Sequence, residues 1–368
     1  MNQINVPQGM RDLIFEETEK KRNLQKKIET VFEKSGYREV STPAVEFFTT
    51  YANAFNDVKS EEMYRFFDQE GRMLVLREDM TVPIARVCAS KFANAQPPFR
   101  IRYTSDVFKV RHAFAGRRNE VTDCGIELIG MDERADLEVL VTALDVMETF
   151  GTDGYVLEIG NPRFFRKAAE ETGLNKEQTG VLADLIDRKS LVELQEFLDG
   201  LDLTGQQKEF FSQLPLLGGG KEVLEEAAAL SFSEDLGKEV LKLNRLYEDL
   251  KDLGYDQHVS FDFGKAPHLD YYTGIIFEGY VDGVGTSVLS GGRYDSLLGK
   301  FGRDLPAIGF SVKLDYLLDI LPDDKHHVIK LYYPEKMEKE AIRKAKELRE
   351  NADVELIVSD GDTMEVKE

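Results

Sequence analysis

Four short segments gather the residues best suited to hold a small polar molecule. They are Leu76-Arg77-Glu78-Asp79-Met80-Thr81, Gly125-Ile126-Glu127, Leu269-Asp270-Tyr271-Tyr272-Thr273-Gly274 and Ser290-Gly291-Gly292-Arg293-Tyr294-Asp295. Their side chains are acids, hydroxyls and phenols: a carboxylate pairs with an ammonium, and a phenol can donate to or accept from a ring nitrogen. Glu127 is the most telling, because it lies in an apolar run that reads as a strand. A carboxylate buried there without a partner is costly. Plainer readings exist for the neighbours. Tyr271-Tyr272 could pack a sheet, Gly291-Gly292 could be a turn, and His268 beside Asp270 could be a solvated loop pair.

Other chemistries find no footing. There is no GxxxxGK[ST] phosphate loop, and no GxGxxG opens a helix after a strand. No Cys/His set has zinc spacing, His326-His327 being an adjacent pair near a loop, so neither a metal nor a cofactor is expected. The acidic strand end leading into a Thr-Gly phosphate loop, expected of a phosphoribosyltransferase, is also missing. Cys88 and Cys124 are too few for a disulfide framework and read as small buried hydrophobes. No apolar run approaches the ~20 residues that span a bilayer, and the start of the chain does not read as a signal peptide, so the cytoplasm is the expected location. With 68 acidic against 47 basic residues the net charge is −21, which disfavours nucleic acid as a partner.

The elements that must position these segments follow from periodicity. Leu24, Ile28, Val31 and Phe32 predict a helix over 16–35 that stops at Gly36. Strands are expected at 72–76, 99–103 and 125–129, then a helix over 132–150. Short helices fill 161–254, with Leu243, Leu246, Leu250 and Leu253 as one packed stripe. Strand character returns at 258–263, 274–280 and 286–289, followed by a Gly-rich turn and a helix around 312–321. After Pro322 a strand (328–332), helix (336–350) and strand (354–358) read as a βαβ start. The sum is an α+β fold: an antiparallel sheet with flanking helices (1–160 and 255–322), a helical insertion (161–254) and a truncated C-terminal α/β unit (325–368).

In this order the segments resemble the histidyl-tRNA synthetases, a class II aminoacyl-tRNA synthetase family, over most of residues 1–321. Gly36-Tyr37-Arg38-Glu39-Val40 through Pro43 and Glu46 is similar to motif 1, Phe108 to Gly130 to motif 2, and Ala307-Ile308-Gly309-Phe310 to Leu317 to motif 3. LDYYTG and SGGRYD are similar to the two histidine signatures. The resemblance implies that Asp79 and Thr81 meet the amino group of histidine, and that Glu127 and Tyr272, with Tyr271 beside them, read its imidazole. Asp123 stands where the family has Gln.

The departures from the family are chemical. Lys109 and Arg111 occupy the places of a motif 2 Arg and Glu, Tyr316 that of the motif 3 Arg, and Pro267-His268 the place of the catalytic Arg. Such cations contribute several kcal/mol each to a charged transition state, so no adenylate chemistry and no catalytic residue are expected. A synthetase-like chain of this kind resembles the regulatory subunits of ATP phosphoribosyltransferase. That resemblance implies a short-form catalytic subunit as partner, a homodimer inside a hetero-oligomer, L-histidine as effector in feedback on histidine biosynthesis, and no tRNA. The alternatives are a divergent adenylating enzyme and a free-standing histidine-binding regulator of another partner.

Overall fold

The computed structural model describes residues 5–55, 58, 60–110, 118–265, 272–322 and 328–367. Arg111, Pro267, His268, Asp270, Tyr271, His326 and His327 therefore lie outside the described residues. The chain divides into two compact units at Leu321/Pro322.

The first unit opens with helix α1 (Glu16–Lys34), whose Leu24, Ile28 and Phe32 are buried as their spacing predicts. Strand β1 (Arg38–Glu39), β2 (Val45–Phe47), helix α2 (Phe48–Ala54), β3 (Arg65–Phe67) and β4 (Met73–Leu76) follow. Helix α3 (Thr81–Ser90) leads to the long hairpin of β5 (Phe99–Phe108) and β6 (Glu120–Ile129), and then to α4 (Asp136–Glu148) and β7 (Tyr155–Gly160). The helices of the 161–254 stretch are α5 (Pro162–Glu171), α6 (Lys176–Asp187), α7 (Leu191–Asp199), α8 (Gly205–Gln213), α9 (Glu222–Leu230) and α10 (Glu234–Asp252), with β8 (Gly218–Gly219) among them. Strands β9 (Val259–Asp262), β10 (Ile276–Val281), β11 (Leu289–Arg293) and β12 (Ala307–Lys313) complete a nine-stranded sheet in the order β1-β5-β6-β12-β11-β10-β7-β9-β8.

That sheet is antiparallel through its centre and parallel only where β1 meets β5 and β7 meets β9. One face packs α1, α4 and the helices α5–α10 into a continuous apolar core. Phe210, Phe211 and Phe164 are buried there, with Leu243 and Leu250 from α10; Leu253, expected in the same stripe, is exposed because α10 has ended. The opposite face carries a smaller core with α2 and α3, beside a three-stranded sheet ordered β2-β4-β3.

Two expectations are overturned. Gly291-Gly292 is not a turn but the middle of β11. A Cβ on Gly291 would lie 2.4 Å from the Gly309 carbonyl oxygen, and one on Gly292 would lie 2.7 Å from the Tyr272 ring, so tight packing rather than a turn requires glycine. The helix expected around 312–321 is instead the end of β12 followed by a short 3₁₀ turn, Leu314–Tyr316. Leu314, Leu317 and Leu318 are spaced as on a helix, yet they pack against the sheet from that turn.

In the second unit β13 (Val328–Tyr333), α11 (Glu338–Leu348) and β14 (Asp353–Val358) form the βαβ crossover, with β13 and β14 parallel. A third strand, β15 (Glu365–Lys367), pairs antiparallel with β13 and was not foreseen. Leu331, Tyr333, Ala341 and Ala345 make its small core.

Candidate ligand-binding site

Register on the large sheet builds the site. Along β6, Asp123, Gly125 and Glu127 share one face, and β12 sets Lys313, Ser311 and Gly309 directly opposite them. Glycines keep this face bare. A Cβ on Gly309 would fall 1.8 Å from Glu127 Oε2, and one on Gly125 would fall 2.6 Å from the Tyr103 hydroxyl. The result is a cavity of about 870 Å³ lined by Asp79, Thr81, Asp123, Glu127 and Tyr272, with Tyr103, Tyr294, Lys109, Lys313 and Tyr316. Its volume lies toward the upper end of small-molecule sites. Five of the six residues expected to bind histidine thus line one cavity; Tyr271 is the sixth.

Glu127 is 1% exposed. It accepts hydrogen bonds from Thr81 Oγ1 at 2.8 Å and from the Tyr294 hydroxyl. Both donors are neutral, and no cation pairs with it among the described residues. Burial therefore pushes its carboxyl up to about 8, against the pull of the two hydrogen bonds and helped slightly by nearby Asp79. Tyr103 and Tyr294, buried near the same charge, are held well above the usual phenol range and remain donors.

Contacts on both sides of Asp79 fix its place. The Tyr51 hydroxyl accepts from Glu78 N at 3.1 Å and donates to the Asp79 carbonyl at 3.4 Å, while Arg77 donates to the carbonyls of Asp106 and Thr42 at 2.7 and 2.8 Å. Asp79 Oδ1 then accepts from Val82 N at 2.9 Å, which starts α3 and presents Thr81 to Glu127. Burial raises the Asp79 carboxyl too, offset by that backbone contact and by Lys109. Asp123 is raised by burial to about 6, with Lys313 and Lys109 pulling it down.

Tyr272 lies in a coil segment rather than a strand. The stretch after it is pinned: Thr273 N donates to the Arg293 carbonyl at 2.7 Å, and Asp295 N to Thr273 Oγ1 at 2.8 Å. Arg293, fully buried, donates to Asp136 Oδ1 at 2.5 and 2.8 Å, to Asp295 Oδ1 at 2.9 Å, and to the carbonyls of Met131 and Asp132 at 3.2 and 2.6 Å. This arginine of the SGGRYD segment is a scaffold group. Tyr294 beside it, to which no role was assigned from sequence, is the one that enters the site. Its alternation with Arg293 along one extended segment was the available signal. No group of His, Cys, Asp and Glu among the described residues could hold a metal ion.

Comparison with known proteins agrees with this geometry. A model of the histidyl-tRNA synthetase family matches residues 9–317. The chain is 38% identical over 321 residues to the ATP phosphoribosyltransferase regulatory subunit of Clostridium acetobutylicum, covering 86% of this chain and 79% of that one. It is 39% identical over 323 residues to the protein of the same name from Acetivibrio thermocellus, covering 88% and 77%. A solved structure from Bacillus halodurans C, described as an ATP phosphoribosyltransferase regulatory subunit/histidyl-tRNA synthetase, superposes with a TM-score of 0.87 at 31% identity over 98% of this chain and 94% of that one. The histidyl-tRNA synthetase of Nostoc sp. PCC 7120, at 22% identity and a TM-score of 0.80 over 98% and 87%, shares the fold. Because the matched residues run through the whole large sheet and its cavity, the chain belongs to the histidyl-tRNA synthetase-like family of ATP phosphoribosyltransferase regulatory subunits.

Proposed function

We propose that the chain serves as the regulatory subunit of an ATP phosphoribosyltransferase, without chemistry of its own, and that it senses L-histidine in the cavity over β6 and β12. The observation that carries the histidine reading is Glu127: a buried carboxyl oriented by Thr81 and Tyr294, with glycines cleared around it and, among the described residues, no cation to neutralise it. An imidazole sharing a proton with that carboxylate would supply the missing charge. Asp79 takes the ammonium, and Tyr272 flanks the ring.

The names of the relatives imply a catalytic ATP phosphoribosyltransferase subunit as partner, and the proposal takes it to be the short form. Histidine acts on it by binding two states of the complex unequally. Lys109 and Tyr316 line the cavity where the synthetase family places arginines, so the nucleotide clamp is lost and tRNA charging is not expected. The cytoplasm is the proposed location; among the described residues no helix is long and apolar enough to cross a membrane.

Homodimerisation is proposed through the motif 1 region. On the small sheet Val45 is paired with Leu76, and Leu74 with both Phe47 and Phe66, which sets all five on one face. Val45, Phe47 and Phe66 are 38%, 42% and 39% exposed, a contiguous apolar surface that a second copy would cover. Sedimentation at micromolar concentration should show a dimer; a monomer contradicts it.

Calorimetry tests the sensor. L-Histidine should bind the wild type with a Kd between about 1 μM and 1 mM. Glu127→Ala should weaken binding by roughly tenfold to a hundredfold, given 1.5–3 kcal/mol for a charge-assisted contact. Histidine binding unchanged in Glu127→Ala removes this cavity from the account.

A further inference from the structure

The histidine-pocket reading leaves one end of the ligand without a partner. Imidazole and ammonium are met by Glu127 and Asp79, but the α-carboxylate would enter a cavity that Glu62, Glu78, Asp79, Asp123 and Glu127 also line. Like charges repel strongly where water is sparse, so an unassisted carboxylate would cancel much of what the other contacts contribute. Some cation must stand where it arrives.

Among the described residues Lys109, Arg118 and Lys313 are the cations that line the cavity, and of these the sheet register sets Lys313 on the bare face. Gly309 is opposite Glu127 at one end of the bare face, and Lys313 is opposite Asp123 at the other. The two positions are four residues apart on each strand, or about 13 Å at the usual rise. A lysine leaning along its strand shortens that span to the scale of one amino acid. Lys313 stands on a central strand buried at Ala307–Phe310 and Val312, so its backbone is fixed. Lys109 follows β5, is held by its N–H to the Asn119 carbonyl at 2.8 Å, and lines the same cavity. Both ammonium groups act on the Asp123 carboxyl, and Lys109 acts on Asp79 as well. Lys109 is thus within electrostatic reach of both Asp79 and Asp123, and Lys313 of Asp123.

We infer that Lys313, assisted by Lys109, receives the α-carboxylate of the bound ligand and makes the cavity selective for histidine over analogues that lack the carboxylate. This rests on the histidine-pocket reading and adds the determinant that the sequence motifs do not name. Asp123 acquires a role in it: it attracts both ammonium groups from a position four residues along the strand from Glu127.

Calorimetric titrations with L-histidine and L-histidinol test the inference. The wild type should prefer histidine by about tenfold to a hundredfold, the range of one charge-assisted contact. Lys313→Met should lose histidine affinity by that factor and keep its affinity for histidinol, which also shows that the variant is folded. Lys313→Arg should retain most of the preference. Equal affinities of the wild type for the two ligands, or equal losses for both in Lys313→Met, overturn the inference and leave the pocket reading intact. A wild type that binds neither ligand overturns both. The wild-type ratio decides the matter even if Lys313→Met does not fold.

Discussion

Two ionisable side chains are buried in the same sheet, on strands β11 and β6 with β12 between them, and the protein treats them in opposite ways. Arg293, 0% exposed, meets two carboxylates and two carbonyls. Burial lifts its partner Asp136 to about 6 against the pull of the guanidinium, so that carboxyl is still ionised at neutral pH. Glu127, 1% exposed, meets two neutral hydroxyls and no cation among the described residues. The first is a charge the fold has completed. The second is a carboxyl that the described residues give no counter-ion, so burial holds its proton on up to about 8, and on the proposed reading a ligand completes it. Burial alone does not distinguish structure from site; the presence or absence of a counter-charge does.

The largest effect should come from breaking the completed charge. Arg293→Ala leaves Asp136 buried without its partner and should cost about 3–5 kcal/mol in urea denaturation. A loss under 1 kcal/mol would mean that the arginine contributes little to the scaffold. Next comes Gly309→Ala, whose new methyl meets Glu127 Oε2 at 1.8 Å. It should cost roughly 1–3 kcal/mol of stability, and histidine binding should fall with it as Glu127 is displaced.

The incomplete charge should also show in pH. The Glu127 carboxyl titrates near 4.5 when unfolded and is raised to about 8 in the fold. The folded state therefore binds the proton more tightly, and its contribution to stability is full below about 4.5 and lost as pH rises to about 8. Glu127→Gln should gain on the wild type across that window and keep a constant lead above it. Histidine affinity sharpens the point. Free imidazole titrates near 6.5, so ligand and pocket share one proton between about 6.5 and 8, and affinity should be flat there and fall on both sides. The smallest effect is expected from Tyr294→Phe, which removes one hydroxyl donor from Glu127 and should change affinity by about 1 kcal/mol.

How far the sequence revealed this differs by region. Helix α1 was legible because Leu24, Ile28 and Phe32 form a clean stripe against a capping glycine, and the outer halves of β5 and β6, at 99–103 and 125–129, because they are short strand-like runs. Glu127 and Thr81 were legible as site residues because an acid in an apolar strand has few plain explanations. Gly291-Gly292 was misread because turn propensity and the need for bare backbone in a crowded sheet look the same in one sequence. The Leu314–Leu318 stretch was misread because apolar spacing does not record where hydrogen bonding stops. Tyr294 and Lys313 were not singled out, since only register across strands distant in sequence brings them to Glu127 and Asp123.

On the proposed reading, Glu127 is kept at a cost to the fold so that histidine can complete it. Urea unfolding of the wild type and Glu127→Gln at pH 8, each with and without L-histidine at about 100 times the wild-type Kd, tests this most directly. Without ligand the variant should be the more stable of the two. With ligand the wild type should gain about 2.7 kcal/mol and the variant far less. A variant that is less stable without histidine, yet gains as much from it as the wild type, would show that Glu127 belongs to the scaffold and that histidine is read elsewhere.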